Sequence, residues 1–359
     1  MQKIALSIVA VLLFAACNIQ PGNKQDKVIT FVSFPDFFNF DVPEPWLRWD
    51  KAVDFFLSKV KEEKPDFVLV AGDLVNGHWW DSPQCIEQMG TLYYSSWKRR
   101  MEKHHLKYYT AIGDHELGDD PWPVEKAKLV PYFENIYNQM LQMPQNGPEN
   151  KKGLAYYVRE GDLLLITVET FELAGDTLLA EVIGQQLEWF KHVLETNSDA
   201  KFKVVQGHVA IWGGDTIKGR SSSRLFLQKG KESEFYKTMK TGGVDLYLCG
   251  EFHDVTVLES DGIWQIVHGS SWGREVVNTQ DYLVANIERN RLTVQLKRLY
   301  TEAGGGYMWN LNKNKGPREE MRFTRQSIET GPEITGTLVI EHAKGERNKV
   351  VQQTGYFSK

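Results

Sequence analysis

The sequence predicts an α/β fold, a sheet of mostly parallel strands sheathed by helices. Three observations carry that prediction. Five short apolar runs rich in β-branched and aromatic residues recur between Val28 and Cys249, and each runs into a glycine or proline followed by a chemically capable residue. The runs are continuously apolar rather than alternating, the pattern of strands buried on both faces. Between them lie segments with helical spacing, and 359 residues supply ample core.

The first residues, MQKIALSIVAVLLFAAC, combine a basic start, an apolar run from Ile4 to Phe14, and small Ala15 and Ala16 before Cys17. The run is too short to span a bilayer comfortably and fits an export signal. Because it stops at a cysteine, it resembles the bacterial lipoprotein signal, although Phe14 stands where leucine is usual. That resemblance implies removal of residues 1–16, lipidation of Cys17, and export to the cell envelope. A plain cleaved signal or an uncleaved anchor are the other readings of this leader. Polar NIQPGNKQDK follows, so residues 17–27 are expected to be a tether.

From Val28 the runs follow in order: VITFVSF into Pro35-Asp36, FVLVA into Gly72-Asp73, YYTAI into Gly113-Asp114-His115, KVVQ into Gly207-His208, and LYLC into Gly250-Glu251. Residues 46–66 place Trp46, Trp49, Val53, Phe56 and Val60 on one helical stripe before Pro65. Further helices are expected over about Ile86–Glu102 and over 184-GQQLEWFKHVLETN-197, with a hairpin around Glu160-Gly161-Asp162. From Tyr282 the chain reads as β-like. Residues 28–300 are expected to form the main domain, with 301–359 a β-rich extension packed on it. Cys85 and Cys249 either pair or stay as buried thiols, and spacing does not decide.

The formal net charge of −5 offers no basic face for a polyanion, so nucleic acid is not expected as an obligatory partner. Membrane contact is expected through the lipid anchor alone, and the sequence leaves the oligomeric state open.

Sheets of this type present functional side chains at the carboxyl ends of their strands. Asp36, Asp73, Asp114, His208, Glu251 and His253 are oxygen and nitrogen donors, one or two per strand end, as a two-metal site requires. Asp36, GDL at 72–74, GDHE at 113–116, GH at 207–208 and GEFH at 250–253, in that order, resemble the calcineurin-like metallophosphoesterase family over about residues 28–272. The resemblance implies a four-layer α/β/β/α sandwich, with residues 28–300 its catalytic domain, and two metal ions bridged by an aspartate and a hydroxide that attacks phosphorus in line. Asp73 would bridge, Asp36 and His253 would hold the first ion, and Asp114, His208 and Glu251 the second. His115 would steady the phosphoryl oxygens or protonate the leaving group. The implied substrate is a small-molecule or envelope phosphoester.

The chain departs from the family pattern. Where Asp-x-His is usual, 36-DFF-38 puts Phe38 at a ligand position. A shifted register would instead set Phe34 at the aspartate and Asp36 at the histidine. Asn39, Asp41 or water are the candidate replacements, and a single tightly bound ion is one outcome of the loss. Asp114 replaces an amide and Glu251 an imidazole. Four carboxylates against two divalent cations make the centre formally neutral, which favours Mn, Fe, Mg or Ca over Zn and a less charged substrate such as a diester.

Around this set, His78, Glu116, His268, Arg220 and Arg224 are candidate pocket residues, His78 at the mouth beside Trp79 and Trp80. Glu116 reads as a hydrogen-bond acceptor behind the ligands and His268 equally as a core histidine. Arg220 and Arg224 flank three serines and suit a phosphate clamp or a solvated loop. Tyr307, Trp309 and Phe323 shape a substrate rim or simply pack. Two other functions stay open. A serine esterase would use Ser271 in 269-GSSWG-273, with Asp281 or a glutamate and His342. A non-catalytic ligand-binding lipoprotein would keep the fold without a competent first site.

Overall fold

A computed structural model describes residues 28–37, 49–75, 77–217, 224–269, 279–302 and 322–358. In chain order its strands are β1 (Ile29–Ser33), β2 (Phe67–Val70), β3 (Tyr108–Thr110), β4 (Tyr156–Glu160), β5 (Leu163–Thr167), β6 (Glu172–Ala174), β7 (Thr177–Leu179), β8 (Phe202–Gln206), β9 (Leu246–Cys249), β10 (Thr256–Ser260), β11 (Ile263–Val267), β12 (Thr279–Glu288), β13 (Arg291–Glu302), β14 (Arg322–Phe323), β15 (Glu333–Glu341) and β16 (Lys349–Gly355). The helices are α1 (Trp49–Glu62), α2 (Pro83–Lys103), α3 (Val124–Ala127), α4 (Val130–Leu141), α5 (Gly184–Thr196), α6 (Glu234–Thr241) and α7 (Arg325–Thr330).

Two sheets carry the fold. The first runs β16-β15-β13-β12-β1-β2-β3, with β14 on β13, and the second runs β10-β11-β9-β8-β5-β4. Strands β1, β2 and β3 are parallel, as are β5, β8, β9 and β11; β12 joins β1 antiparallel, and antiparallel β4 and β10 form the edges of the second sheet. Strand β13 crosses residue 300, β15 pairs onto it, and β16 pairs onto β15 as the outermost strand of the first sheet. The sheets face each other: Tyr156 Oη donates to Thr110 O at 2.8 Å, and Gln206 Nε2 donates to Tyr109 O at 3.3 Å.

Side-chain alternation sorts the layers. Leu163, Leu165, Val204, Leu246 and Leu248 join the core shared with the first sheet. Leu164, Ile166, Val205, Tyr247 and Cys249 point the other way, into a second core under α5 and α6. On the far face of the first sheet, Phe56 of α1 meets Phe34 at 5.2 Å, and Trp97 of α2 meets Tyr108 at 4.8 Å between ring centroids. The result is helix, sheet, sheet, helix, as the family resemblance implies, with β-rich C-terminal strands. Each buried large apolar side chain contributes on the order of 1.5–3 kcal/mol.

Local signals set the helix ends. Ser82 accepts from Cys85 N at 3.1 Å and Pro83 opens α2, which therefore starts three residues before the apolar periodicity does. Helices α1 and α5 and the β4–β5 hairpin fall where the sequence places them. Cys85 and Cys249 are unpaired. No helix among the described residues is long and apolar enough to cross a membrane. The leader, Cys17, the tether, Phe38, Asn39, Asp41, Trp46, Arg220, Ser271, Tyr307 and Trp309 lie outside the described residues. Phe323 is buried, 4.7 Å from Phe55 between centroids, and packs in the core.

Phe190, fully buried in the outer core and 5.0 Å from Phe235, is remote from the strand ends. Phe190→Ala is expected to lower unfolding free energy by about 3–5 kcal/mol in a urea titration while leaving metal content unchanged.

Candidate metal centre

The parallel strands β1, β2, β3, β8 and β9 all run toward the same edge, and the loops after them converge there. Several donors stand on left-handed backbone: φ is 53° at Asp36, 58° at Asp73, 75° at Glu251 and 55° at His253. Such residues cost of order 1–3 kcal/mol each and persist where their surroundings over-determine them, commonly at ligand sites. Gly113 is required for a different reason, since a Cβ there would stand 2.1 Å from Asp73 Oδ1.

The six donors predicted from sequence come together in two groups. Asp36, Asp73 and His253 form one and Asp114, His208 and Glu251 the other, with ligand atoms within 4.8 Å of one another in each. Asp73 also groups with Asp114 and His115, so it stands between the two. His253 Nε2 is 3.8 Å from Asp36 Oδ1. His208 Nε2 is 2.9 Å from Asp114 Oδ1, 3.4 Å from Asp73 Oδ1 and 3.6 Å from Glu251 Oε2. All six residues are buried.

The arrangement fits divalent metal. His208 Nδ1 lies 2.8 Å from Ala71 O, a contact only an N–H can make, so Nε2 is the ring atom turned toward three carboxylates, and it is the atom a cation would take. That Nε2, Asp36 Oδ2 and both Asp114 oxygens are buried without a hydrogen-bond partner among the described residues. Unpaired buried acceptors facing one another are costly unless a cation lies between them.

The field says the same. Burial pushes Asp36 and Glu251 each to about 7 and, with Asp114 beside it, raises Asp73 well above the ordinary carboxylate range. Burial works against charge on His208, yet Asp73, Asp114 and Glu251 raise its pKa well above the usual value. Burial raises Asp114 too, but His115 and His208 outweigh it and hold that carboxyl low. His253 is depressed to about 3, by burial first and then by His115.

Glu116 lies behind the ligands rather than in a pocket. Fully buried, its Oε2 accepts from Asp73 N at 2.7 Å and Gly113 N at 2.8 Å, and its Oε1 from Leu74 N at 2.7 Å and Val75 N at 3.1 Å. One carboxylate thus ties the β2 and β3 loops together. Glu251 is steadied from the other side by Leu225 N, which donates to Oε1 at 3.0 Å. Its own N–H donates to Asp36 Oδ1 at 3.1 Å.

His115 is half-buried at the mouth, its Nε2 4.0 Å from Asp73 Oδ2 and 3.8 Å from Asp119 Oδ1. His78 is also at the mouth, 3.2 Å from Asp119 Oδ2, but Trp79 is not: it is buried, stacked near Tyr93 and Phe133. Trp80 is exposed, with Lys126 Nζ 5.4 Å from its ring centroid.

Other expectations are corrected. His268 lines no pocket, because it is fully buried with Nε2 2.6 Å from Ser33 Oγ and Nδ1 3.1 Å from Ile266 O. Arg224 is exposed and donates to Ile217 O at 2.6 Å, a loop contact rather than a clamp. The esterase alternative loses its partners: Asp281 is bound by Arg298 Nε at 2.6 Å, and His342 Nδ1 faces Asn348 Oδ1 at 3.0 Å. Sequence reading passed over Asp119, whose signal is its place four residues after His115. It also passed over Ala71 O and Leu225 N, which act through backbone and leave no trace in residue type.

Glu116→Gln sets an amide N–H against backbone N–H donors. The variant is expected to lose about 1–3 kcal/mol of stability and about 10–100-fold in metal affinity, read by denaturation and by metal titration calorimetry.

The calcineurin-like phosphoesterase profile matches residues 44–255, more than half of the chain. No curated protein matches the sequence. Among solved structures, a dimetal phosphatase from Danio rerio is 11% identical with a TM-score of 0.53, covering 83% of this chain and 99% of its own. GAP50, the anchor in the inner membrane complex of Plasmodium, is 14% identical with a TM-score of 0.48, covering 82% of this chain and 88% of its own. At 11% identity the first of these likenesses speaks for the fold alone. The ordered motifs, the layered sandwich and the family match together place the chain in the calcineurin-like phosphoesterase family.

Proposed function

We propose that this chain hydrolyses phosphoric esters with the help of divalent cations, acting on a diester more readily than on a dianionic monoester. The observation that carries this reading is the pair of three-residue donor groups meeting at Asp73, with unpaired buried lone pairs aimed between them. Asp36, Asp73 and His253 would hold one cation, and Asp73, Asp114, His208 and Glu251 the other. Such cations supply Lewis acidity and a water acidic enough to attack phosphorus near neutral pH.

The chain's own groups do the rest. Ala71 O keeps the proton of His208 on Nδ1, and Glu116 holds the Asp73 and Asp114 loops at fixed separation. His115, at the rim with its ring toward Asp73 and Asp119, is placed to hold a phosphoryl oxygen or give a proton to the departing oxygen. Asp36, Asp73, Asp114 and Glu251 neutralise two divalent charges, which weakens attraction for a dianion and favours hard, oxygen-seeking ions such as Mn, Fe, Mg or Ca over Zn.

Hydrolysis of bis-p-nitrophenyl phosphate is expected to vanish in chelator and return with Mn or Mg. Asp73→Asn is expected to lower the rate more than about 100-fold. Stoichiometric zinc in protein purified without added metal, together with fast monoester turnover, would contradict the proposed preference. Metal binding without any turnover would point instead to a non-catalytic binding protein on the same fold.

The leader supports a second part of the proposal: export and lipid anchoring to the cell envelope through Cys17, with an envelope or small-molecule phosphoester as substrate. Cys17→Ser is expected to move the protein from the membrane fraction to the soluble one on cell fractionation.

A further inference from the structure

Outside the buried centre, three more metal-capable side chains converge from two segments. His78 Nε2 lies 3.2 Å from Asp119 Oδ2, and His115 Nε2 lies 3.8 Å from Asp119 Oδ1. The two imidazoles meet edge to face with centroids 5.5 Å apart, and one donor atom from each of the three residues falls within 4.8 Å of the others. A cation bound at about 2.0–2.2 Å spreads its ligand atoms roughly 3–3.5 Å apart, so small rotamer changes would close this set around an ion.

The backbone prearranges it. Asp119 follows the His115–Leu117 3₁₀ turn in a left-handed conformation, φ 68°, with its N–H donating to Asp114 O at 2.8 Å. Its carbonyl accepts from Lys126 Nζ, while its carboxylate faces the imidazoles. Two imidazoles and one carboxylate suit first-row transition ions, whereas Mg and Ca avoid imidazole. The His78 side chain is 42% exposed and that of Asp119 20%, so the remaining coordination positions face water.

We propose that His78, His115 and Asp119 form a third, solvent-open site for a divalent transition-metal ion, distinct from the buried pair. Its occupation takes the Nε2 lone pair of His115. Under the hydrolase reading above, on which this consequence rests, excess transition metal therefore inhibits, and excess Mg or Ca does not.

Equilibrium dialysis of the full chain against Co²⁺ tests the site directly. His78→Ala and Asp119→Asn are each expected to bind one weak equivalent fewer than the wild type while retaining the tight ones. Inhibition by excess Co²⁺ is expected to shift to about 10-fold higher metal or more in both variants. Asp73→Asn disables the buried pair and leaves the mouth donors intact, so it is expected to keep the weak equivalent. That separates failure of this site from failure of the hydrolase reading. The two variants are independent, one at an exposed side chain and one isosteric, so misfolding of either leaves the other decisive. Equal stoichiometry and equal inhibition in wild type and a folded variant would overturn the proposal.

Discussion

Like charges confined in one buried volume are the constraint on which the rest depends. Asp36, Asp73, Asp114 and Glu251 share a space with His208 and His253 at which water has little access. Desolvation and mutual repulsion lift Asp73 well above its ordinary range, and burial brings Asp36 and Glu251 to about 7. A fold does not gather such groups for stability, because isolated buried charge is among the costliest things a protein can hold. Divalent cations reverse the sign of that cost, turning repulsion among ligands into attraction toward a common partner.

Holding the arrangement takes a scaffold stiff enough to resist relaxation. Glu116 supplies part of it, with four backbone N–H groups ending on one buried carboxylate. Ala71 O orients His208, and Leu225 N orients Glu251. Left-handed backbone at Asp36, Asp73, Glu251 and His253 shows the same priority: local conformational cost is accepted where it aims a donor. Behind these loops stand parallel strands locked between two cores, so displacement of one loop would disturb both sheets.

Polarity is graded from the floor of the centre to its mouth. The deepest donors are inaccessible, His115 is half-buried, and His78 is open to solvent. Under the proposed function, the grading separates groups that would hold ions from groups that would meet substrate or exchangeable ions. His115 belongs to both neighbourhoods, since it faces Asp73 on one side and Asp119 on the other.

Much of this was legible in the chain itself. Continuous apolar runs ending in Gly-Asp, Gly-His and Gly-Glu announced parallel strands with donors at their carboxyl ends, because burial on both faces and a sharp turn each demand particular residue types. The division of six donors into two groups was what the family resemblance implied. Residue type was silent on the rest. Asp119 drew no reading, Trp79 looked like rim, and His268 read as either site edge or core, since a histidine at a strand end carries no label for its surroundings. Only the packing of two sheets face to face set which nitrogen faces a carbonyl, which carboxylate accepts backbone protons, and which stays bare. Those choices depend on distances between segments up to hundreds of residues apart, and such distances exist only once the chain has closed on itself.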